Sequence, residues 1–481
     1  MLKGLIGFLL CAAAALLVIV GLGEAADLGI QPVWVFLEVI LLACLLIGVV
    51  KFPAAFAVPI LFASRQMVLP IPRQFHELSG LTAIRLGAGL LALAVFFRLL
   101  KLSIRGHSPS LGDLLRNQGK RITTFALFAV LVTLSYLHTP SPVYGGRKLL
   151  SFLTVGALTF LAPFVLLNGE RDFRDFAMAA VGLALLEGTG RIIAGSHGTF
   201  GAREEVTHIG VGQLVGMAIL LILNYKFVEG RWARYLLILC LPCLAAGLIA
   251  SEARGPLFSL LLVLGAFAFT RRAKMSLISP RTAVLGVALV VTALVIVPGR
   301  WFHGEAADKY RVKSQETVDL LHGSYTDQGS GGRRLVFFDS ALAGIAEKPV
   351  AGWGLGGWAG YYYHSDRWSY PHNLFLEVWL EEGIFGFAAL LAFLTIGFKA
   401  AKKAFDEPSG RFAFVLPMLA YCVLLTTSSG DIDDNRFVWF WCGVAFVASR
   451  MIASGFSKEQ PQQEPAPVNA SIRKSPSWLA G

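Results

Sequence analysis

Three arginines in this sequence occupy positions where a cation is energetically unfavourable. Arg254 joins two apolar runs, and Arg333 and Arg334 follow two glycines at the start of a stretch with helical spacing. A cation at the end of an apolar helix is costly unless it is paired or hydrated, and arginines at a helix N-terminus oppose the helix dipole. Guanidinium groups bind phosphate through paired hydrogen bonds. The positions predict an anion site, while a snorkelling interfacial Arg254 and a solvated helix start remain the alternatives.

A histidine lies where the chain returns to an apolar segment. His372 precedes Asn373, and Glu377, Glu381 and Glu382 follow within the apolar run. Imidazole titrates near neutral pH, which suits a general base, although a hydrogen-bonded interfacial histidine fits the same position. Carboxylates inside an apolar helix are candidates for function, and Glu381 shares a helix face with Glu377. The sequence therefore predicts acid–base chemistry beside the arginines.

Other chemistries have weaker signals. The glycine- and tryptophan-rich stretch 352–358 lacks the Lys-Ser or Lys-Thr of a P-loop, so its glycines are expected to permit tight turns. Its tryptophans are expected to be interfacial or sugar-stacking rings. Asp431 and Asp433 are the nearest approach to a metal-binding pair, and neither a metal nor a cofactor is expected. Cys240 and Cys243 have redox spacing, but they lie in an apolar run and are expected to pack there.

Composition places these residues in a membrane protein. Of the 481 residues, 55% are hydrophobic and 15% are charged, whereas a soluble domain carries about 25% charged residues. Apolar runs of about 18 residues or more recur along the chain, as in transmembrane helices. The predicted fold is an all-α polytopic membrane protein with about 12–14 transmembrane helices. The candidate spans are 1–23, 33–50, 53–69, 81–100, 122–138, 149–167, 176–195, 209–226, 235–250, 256–270, 282–297, 374–398, 412–428 and 437–453.

The distribution of charge orients these spans. The formal net charge is +11, and it concentrates in the connections that face the cytoplasm when the N-terminus is placed inside, as the positive-inside rule requires. The charge is therefore topological, and no nucleic-acid partner is expected. The predicted divisions are a first group of helices over 1–297, a periplasmic loop over 298–373, a last group over 374–456 and a disordered cytoplasmic tail over 457–481.

The long outer loop is expected to be functional, because structureless loops of this length are uncommon in compact proteins. Residues 333–348 have helical spacing, which would place Leu335, Phe338, Leu342 and Ile345 on one face. Residues 306–321 form a weaker helical candidate.

Four motifs in order resemble the O-antigen ligase and O-antigen polymerase superfamily of bacterial envelope glycosyltransferases. Ser251–Gly255 resembles its Ser-x-x-Arg-Gly element, and Gly332-Arg333 with Phe337 resembles Gly-Arg-x-x-x-aromatic. Residues 347–356 resemble its Pro-x-x-Gly-x-Gly-x-Gly stretch, and 372–386 resemble its His-Asn-x-x-Leu and Glu-x-Gly-Ile-x-Gly elements. The resemblance covers about 250–390. A weaker motif at 198–201 continues into Ala-Arg-Glu-Glu, whereas the family has Asn-Pro-Asn.

The resemblance implies a GT-C-like enzyme of the bacterial inner membrane whose active site faces the periplasm. The implied donor is a glycan on undecaprenyl pyrophosphate, and the reaction is thought to invert the anomeric carbon. Arg254 and Arg333 would hold the pyrophosphate, and His372 would deprotonate the acceptor hydroxyl. The residues that are expected to assist substrate binding are Arg334, Arg147, Glu377 and Asn373, with Lys148 as the alternative to Arg147.

Several questions stay open at this stage. The acceptor could be a lipid A core, a lipid-linked repeat or a protein, so the sequence does not separate a ligase from a polymerase in lipopolysaccharide or exopolysaccharide synthesis. A flippase of lipid-linked sugars is the alternative function, since outer-face arginines could bind the same headgroup. Its design would call for broken helices in two repeated halves, which the sequence does not display.

Overall fold

The computed structural model describes residues 44, 47–58, 83–104, 111–194, 204–225, 227–228, 230–251, 253–268 and 330–454. Every regular element within these ranges is helical. A short 3-10 turn, Pro53–Phe56, precedes the helices. The helices are α1 (Ala83–Ile104), α2 (Leu111–Tyr136), α3 (Pro142–Ser151), α4 (Ala157–Leu166), α5 (Glu170–Ala194), α6 (Glu204–Asn224), α7 (Arg231–Ala250), α8 (Arg254–Ala268), α9 (Ser330–Glu347), α10 (Gly357–Tyr363), α11 (Leu374–Phe405), α12 (Val415–Leu425) and α13 (Arg436–Ala453).

Length and hydropathy confirm the predicted class. Four helical stretches in the described ranges are long and apolar enough to cross a membrane: Gly87–Ile104, Pro142–Leu166, Leu374–Phe405 and Arg436–Ala453. The second joins α3 to α4 through a π-helical turn, Phe152–Gly156. Shorter apolar helices lie at Ile209–Asn224, Tyr235–Ala250, Arg254–Phe267 and Val415–Leu425. The chain is an all-α polytopic membrane protein.

The helices coincide with ten of the predicted apolar spans, with ends shifted by a few residues at most places. The largest shift is at α2, which begins at Leu111 because its first turns are polar and apolar hydropathy marks only the later part. The predicted spans 1–23 and 282–297, most of 33–50 and 53–69, the helical candidate 306–321, the motif at 198–201 and the tail 457–481 lie outside the described residues.

Helix α13 is the centre of the bundle. It packs against α4, α11 and α12, and its side chains are buried along nearly its whole length. Trp439 contacts Phe128 and Phe393 with ring centroids 5.8 Å and 6.0 Å apart, and Phe125 stacks on Phe160 at 4.3 Å. Because aromatic rings bury large areas and interlock at fixed angles, this cluster fixes how α2, α4, α11 and α13 meet.

The outer surface of the bundle carries an apolar stripe. Leu127, Val130 and Leu134 on α2 are 53%, 53% and 52% exposed, and their spacing places them on one helix face. An exposed apolar face of this kind is what lipid contact requires, since lipid chains are as apolar as leucine.

The predicted helix in the long loop is confirmed as α9, and the shared face of Leu335, Phe338, Leu342 and Ile345 is not the face that α9 buries. Phe337, Ala341 and Ile345 are buried together with Trp358 and Leu380 in a separate apolar cluster, whereas Leu342 is 51% exposed. Hydrophobic spacing alone does not identify the buried face of α9 because, near a membrane, an apolar side chain can face outward without contacting water.

Candidate functional site

The start of α11 is tied to the turn that follows α12. The Asn373 side-chain carbonyl accepts hydrogen bonds from two N–H groups of the first turn of α11, at 3.0 Å and 3.2 Å. Its amide group donates to the Thr427 carbonyl at 3.3 Å, and the Leu374 N–H donates to the Thr426 carbonyl at 3.0 Å. Asn373 is therefore the N-cap of α11, and the residue before it is held against this turn.

The same turn also contacts the start of α8. A Cβ atom on Gly255 would lie 2.9 Å from the Ser428 hydroxyl oxygen, so the Gly255 backbone is in close contact with the Ser428 side chain. Ser251 is fully buried and its hydroxyl donates to the Leu248 carbonyl at 2.6 Å, which closes α7. The Ser-x-x-Arg-Gly element thus places Arg254, half-buried at the first position of α8, beside the turn that also positions His372.

His372 has an unusual backbone and a partly enclosed ring. Its φ angle is +59°, a left-handed conformation that a residue other than glycine adopts at some cost. Its ring lies parallel to Phe337, with centroids 6.1 Å apart, and edge-on to Tyr370 at 4.5 Å. The Nδ1 atom is buried and has no hydrogen-bond partner among the described residues. Strain of this kind persists only where the surroundings enforce it, which makes this position a candidate for chemistry.

The surroundings keep the imidazole of His372 neutral. Burial is the main cause that lowers the pKa of His372 to about 4, the Arg334 guanidinium lowers it further, and the Asp431 carboxylate acts in the opposite direction. A neutral ring can accept a proton at pH 7. An anion bound nearby would raise this pKa, because negative charge favours the protonated form.

The two adjacent arginines of α9 have different positions. Arg334 is half-buried and close enough to His372 to shift its pKa, whereas Arg333 is exposed. Consecutive residues of a helix point about 100° apart, so only one of the pair can face His372. The structure therefore places Arg334 near His372. Contact between the exposed Arg333 and an anion stays a prediction.

Lys148 is enclosed in an ion cluster with two carboxylates of α11. Its ammonium binds the Glu377 carboxylate and, at 2.6 Å, Glu381 Oε2, and the side chains of all three are at most 1% exposed. Glu377 also accepts the Ile432 N–H at 3.2 Å. The predicted shared face of Glu377 and Glu381 is confirmed, and the cluster joins α3, α11 and the turn before α13. The buried position of Glu377 favours a role in supporting the helices over contact with substrate. Arg147, which precedes Lys148 in the sequence, is exposed.

A turn rich in aspartate adjoins the cluster. Asp431, Asp433 and Asp434 each bring a carboxylate oxygen within 4.8 Å of the others, a spacing that a metal ion could use. Asp431 already accepts hydrogen bonds from the Tyr144 hydroxyl at 2.8 Å and the Asp434 N–H at 3.1 Å. These contacts give the turn a structural role in joining α3 to α13.

The outer loop binds directly to a break in α11. Gly383 has φ +68° and ψ −167°, so the helix is interrupted there. The Ile384 N–H donates to the Pro349 carbonyl at 3.0 Å, and the Trp353 N–H donates to the Leu380 carbonyl at 2.8 Å. A Cβ atom on Gly383 would lie 2.0 Å from the Val350 carbonyl oxygen. The loop therefore satisfies the backbone groups that the break exposes, as an interrupted helix in a membrane requires.

A second glycine lets the loop lie on the turn after α2. Gly354 has φ +84°, and a Cβ atom there would lie 2.5 Å from the Thr139 Cα. The Thr139 hydroxyl donates to the Leu355 carbonyl at 2.6 Å. The prediction that these glycines permit tight turns is confirmed. The prediction for Trp358 is wrong: its side chain is fully buried and donates to the Ser340 hydroxyl at 3.0 Å, so it is a packing residue.

Sequence reasoning missed Asp366. Its carboxylate accepts the Val143 N–H at 2.7 Å and the Tyr144 N–H at 3.0 Å, which caps the start of α3 from the outer loop. A carboxylate at a helix N-terminus satisfies free N–H groups and the helix dipole. No local pattern could show this contact, because the two partners lie far apart in the sequence.

The fold and the site define a helical membrane protein whose charged groups gather where α8, α9 and α11 begin. Comparison with known families agrees: residues 235–391 match the family model described as O-Antigen ligase. This range contains Arg254, Arg333, Arg334 and His372 and the break in α11, so the resemblance to the O-antigen ligase and polymerase superfamily is confirmed. Over these residues the chain is similar to a family whose description suggests a glycosyltransferase-type enzyme. No curated protein matches it.

Proposed function

We propose that this protein transfers a glycan from undecaprenyl pyrophosphate to a sugar hydroxyl, at the periplasmic face of the bacterial inner membrane. The acceptor would be a lipid A core, another lipid-linked repeat or a protein, so the enzyme would act as a ligase or a polymerase. The arrangement would be GT-C-like, with the helices of 1–297 and 374–456 in the bilayer, the loop 298–373 outside and the tail 457–481 in the cytoplasm.

One observation carries the proposal: Arg254 and His372 flank the same turn. Gly255 lies against Ser428, and Asn373 is hydrogen-bonded to Thr427. A phosphate-binding cation and a base beside one turn are the two groups that a direct displacement from a lipid pyrophosphate needs. Arg334 adds a second cation next to His372.

The chemistry follows from the charges. His372 takes the proton of the acceptor hydroxyl as its oxygen attacks the anomeric carbon. The bond from that carbon to the pyrophosphate oxygen breaks, and the lipid pyrophosphate leaves with one more negative charge. Arg254 and Arg333, with Arg334 beside His372, stabilise that charge as preorganised donors. One displacement of this kind inverts the anomeric centre.

The low pKa of His372 fits a base that works only in the loaded enzyme. In the free protein the ring is neutral and a weak base. The bound pyrophosphate offsets the positive field of the arginines, which raises the pKa of His372 and strengthens it as a base when the donor is present.

Arginines can replace a metal ion in this role, so the reaction is proposed to be metal-independent. Treatment with a chelator should then leave turnover unchanged. If the chelator abolishes turnover and Mg²⁺ restores it, the proposal of metal independence fails and Asp431, Asp433 and Asp434 become the candidate ligands.

The central test measures transfer by the purified protein from a lipid-linked donor. Arg254→Ala and His372→Ala should each lower kcat about 10²–10³-fold, the usual effect of losing one group that stabilises a transition state. Arg333→Ala should weaken turnover as well, through its contact with the donor. Lys403→Ala is the control, because this exposed cation lies at the far end of α11. Wild-type turnover in the arginine and histidine variants, all correctly inserted, would contradict the proposal.

The break in α11 at Gly383 is the observation that favours a flippase, since interrupted helices form binding sites in transporters. The loop occupies that break and satisfies its backbone groups, which favours a fixed structure over a moving gate. A new glycosidic bond formed in detergent, where no membrane separates two sides, would establish transfer. Movement of the donor across vesicles without bond formation would establish a flippase.

A further inference from the structure

A row of aromatic rings runs from the buried end of the outer loop to its surface and passes through His372. Phe337 stacks on His372, and Tyr370 meets the His372 ring edge-on. Trp368 extends the row, with its centroid 6.3 Å from Tyr370 at an angle of 47°. Trp368 is 47% exposed, so part of its indole is accessible to solvent, two ring contacts away from the proposed base.

The residues around Trp368 are polar. His364, Ser365, Asp366 and Arg367 precede it, and all are exposed. An indole that anchors a protein in lipid is expected to have apolar neighbours, whereas the residues that precede Trp368 are polar and exposed. An aromatic face bordered by hydrogen-bonding groups is the surface that a pyranose fits, because its C–H face meets the negative face of the ring and its hydroxyls meet the polar rim.

The segment that carries Trp368 is held in place at both sides. Asp366 is bound to the first N–H groups of α3, and the Arg367 guanidinium lies 3.6 Å over the Tyr363 ring. On the other side, Asn373 caps α11. A segment fixed in this way loses little conformational entropy when a ligand binds, which favours binding at a recognition subsite.

We propose that Trp368 and Tyr370 form the acceptor subsite, in which a sugar of the acceptor glycan stacks on the Trp368 indole and presents its hydroxyl to His372. This inference rests on the proposed transfer reaction and adds the residue that selects the acceptor. Trp368 binds the acceptor and takes no part in bond breaking, so its loss affects the acceptor and not the lipid-linked donor.

The test compares Trp368→Ala with Trp368→Phe in the full-length protein, using the free repeat-unit oligosaccharide from the host's own lipid-linked pool as acceptor. Trp368→Ala should raise the KM for this acceptor about tenfold, the effect of one lost aromatic contact. The KM for the donor and kcat at saturating acceptor should stay near wild type, and Trp368→Phe should restore most of the acceptor affinity. Trp232→Ala is the matched control, because Trp232 on α7 is also exposed, at 81%.

An unchanged acceptor KM in Trp368→Ala would overturn the subsite while leaving transfer intact. Equal losses for donor and acceptor, or the same effect in Trp232→Ala, would also overturn it, since they indicate a structural or membrane-anchoring role. If the wild type forms no glycosidic bond, the proposed function fails, and binding then decides the subsite. Magnetisation transfer by NMR from the protein to the oligosaccharide, present in the wild type and lost in Trp368→Ala, supports the subsite, and its absence in the wild type overturns it.

Discussion

This protein holds two groups of charged residues that differ in burial and in pairing. The ion cluster of Lys148, Glu377 and Glu381 is closed to solvent, and its ammonium is bound by two carboxylates. The rim of Arg254, Arg333, Arg334 and His372 is half-buried or exposed, and Arg334 lies close enough to a neutral histidine to lower its pKa. The ion cluster contains its own counter-charges, while in the rim the Arg334 guanidinium lies near a base.

This difference assigns separate tasks to residues that the sequence shows as similar. Buried ion pairs are weak evidence for net stability, but losing one partner is costly because a charge is left unpaired. The ion cluster therefore fixes α3 against the first half of α11. Because the side chains of the rim are half-buried or exposed, we propose the rim, and not the ion cluster, as the part that binds an anion.

The strongest way to break the comparison is to remove the cation of the ion cluster. Lys148→Met leaves Glu377 and Glu381 buried without a counter-charge, which should destabilise the protein by about 3–5 kcal/mol. The thermal unfolding midpoint of the detergent-solubilised protein measures this loss. Arg147→Met is the matched control, because the neighbouring side chain is exposed, and it should leave the midpoint unchanged.

A triple variant distinguishes charge imbalance from simple loss of packing. Combining Lys148→Met with Glu377→Gln and Glu381→Gln removes all three charges and should recover most of the lost stability, since no unpaired ion remains. If Lys148→Met alone unfolds at the wild-type midpoint, the ion cluster is not the structural part of the comparison.

The pH dependence of transfer sharpens the view of the rim. With a pKa of about 4 in the free protein, His372 stays neutral as pH falls from 7.5 to 5.5, so kcat/KM should change little over that range. A histidine of ordinary pKa would lose about tenfold one unit below its pKa of about 6.5. Below pH 5 the rate should fall as His372 becomes protonated.

Arg334→Gln tests the cause of this shift. Removing the nearby cation should raise the pKa of His372 and move the acid limb of the profile to higher pH. Lys403→Gln removes an exposed cation at the far end of α11 and should leave the profile unchanged. An acid limb near pH 6.5 in the wild type, or no movement in Arg334→Gln, would show that the rim does not control His372 in this way.

The same depressed pKa of His372 means that folded-state stability declines as pH falls from about 6.5 toward 4, because protonation favours the unfolded chain.

The smallest expected effect comes from the residue that joins the rim to α11. Asn373→Ala removes an N-cap and should cost about 1 kcal/mol, with a moderate loss of turnover through displaced His372. Asn373→Asp keeps the cap acceptor and should recover the stability. Turnover that falls far more than the unfolding midpoint, without recovery in Asn373→Asp, would instead support the prediction that Asn373 contacts substrate.

Much of the fold follows from local signals in the sequence. Apolar runs mark the helices because a span in lipid must satisfy its own backbone and expose apolar side chains. The helical spacing of 333–348 predicts α9 for the same local reason. The buried face of α9 does not follow from the sequence, because lipid-facing and core-facing side chains are both apolar and the pattern does not say which of Phe337 and Leu342 is buried.

The candidate site is predictable only in part. The residue types of Arg254 and His372 and the glycines around 352–356 carry their own signal, because cations and strained turns are costly in a membrane. Asp366, which caps α3, and the Thr426–Ser428 turn, which brings α8 to α11, carry none. Such contacts depend on helix packing between distant parts of the chain.

By itself, the sequence determines that this is a helical membrane protein and that arginines and a histidine lie at the ends of its apolar segments. Only the tertiary structure decides that Lys148 is enclosed by Glu377 and Glu381, and that Arg334 is the cation at His372. The physical reason is that burial and electrostatic distance belong to pairs of residues from different helices. Two neighbours in sequence, Arg147 and Lys148 or Arg333 and Arg334, can therefore differ in burial and in the charges that they face.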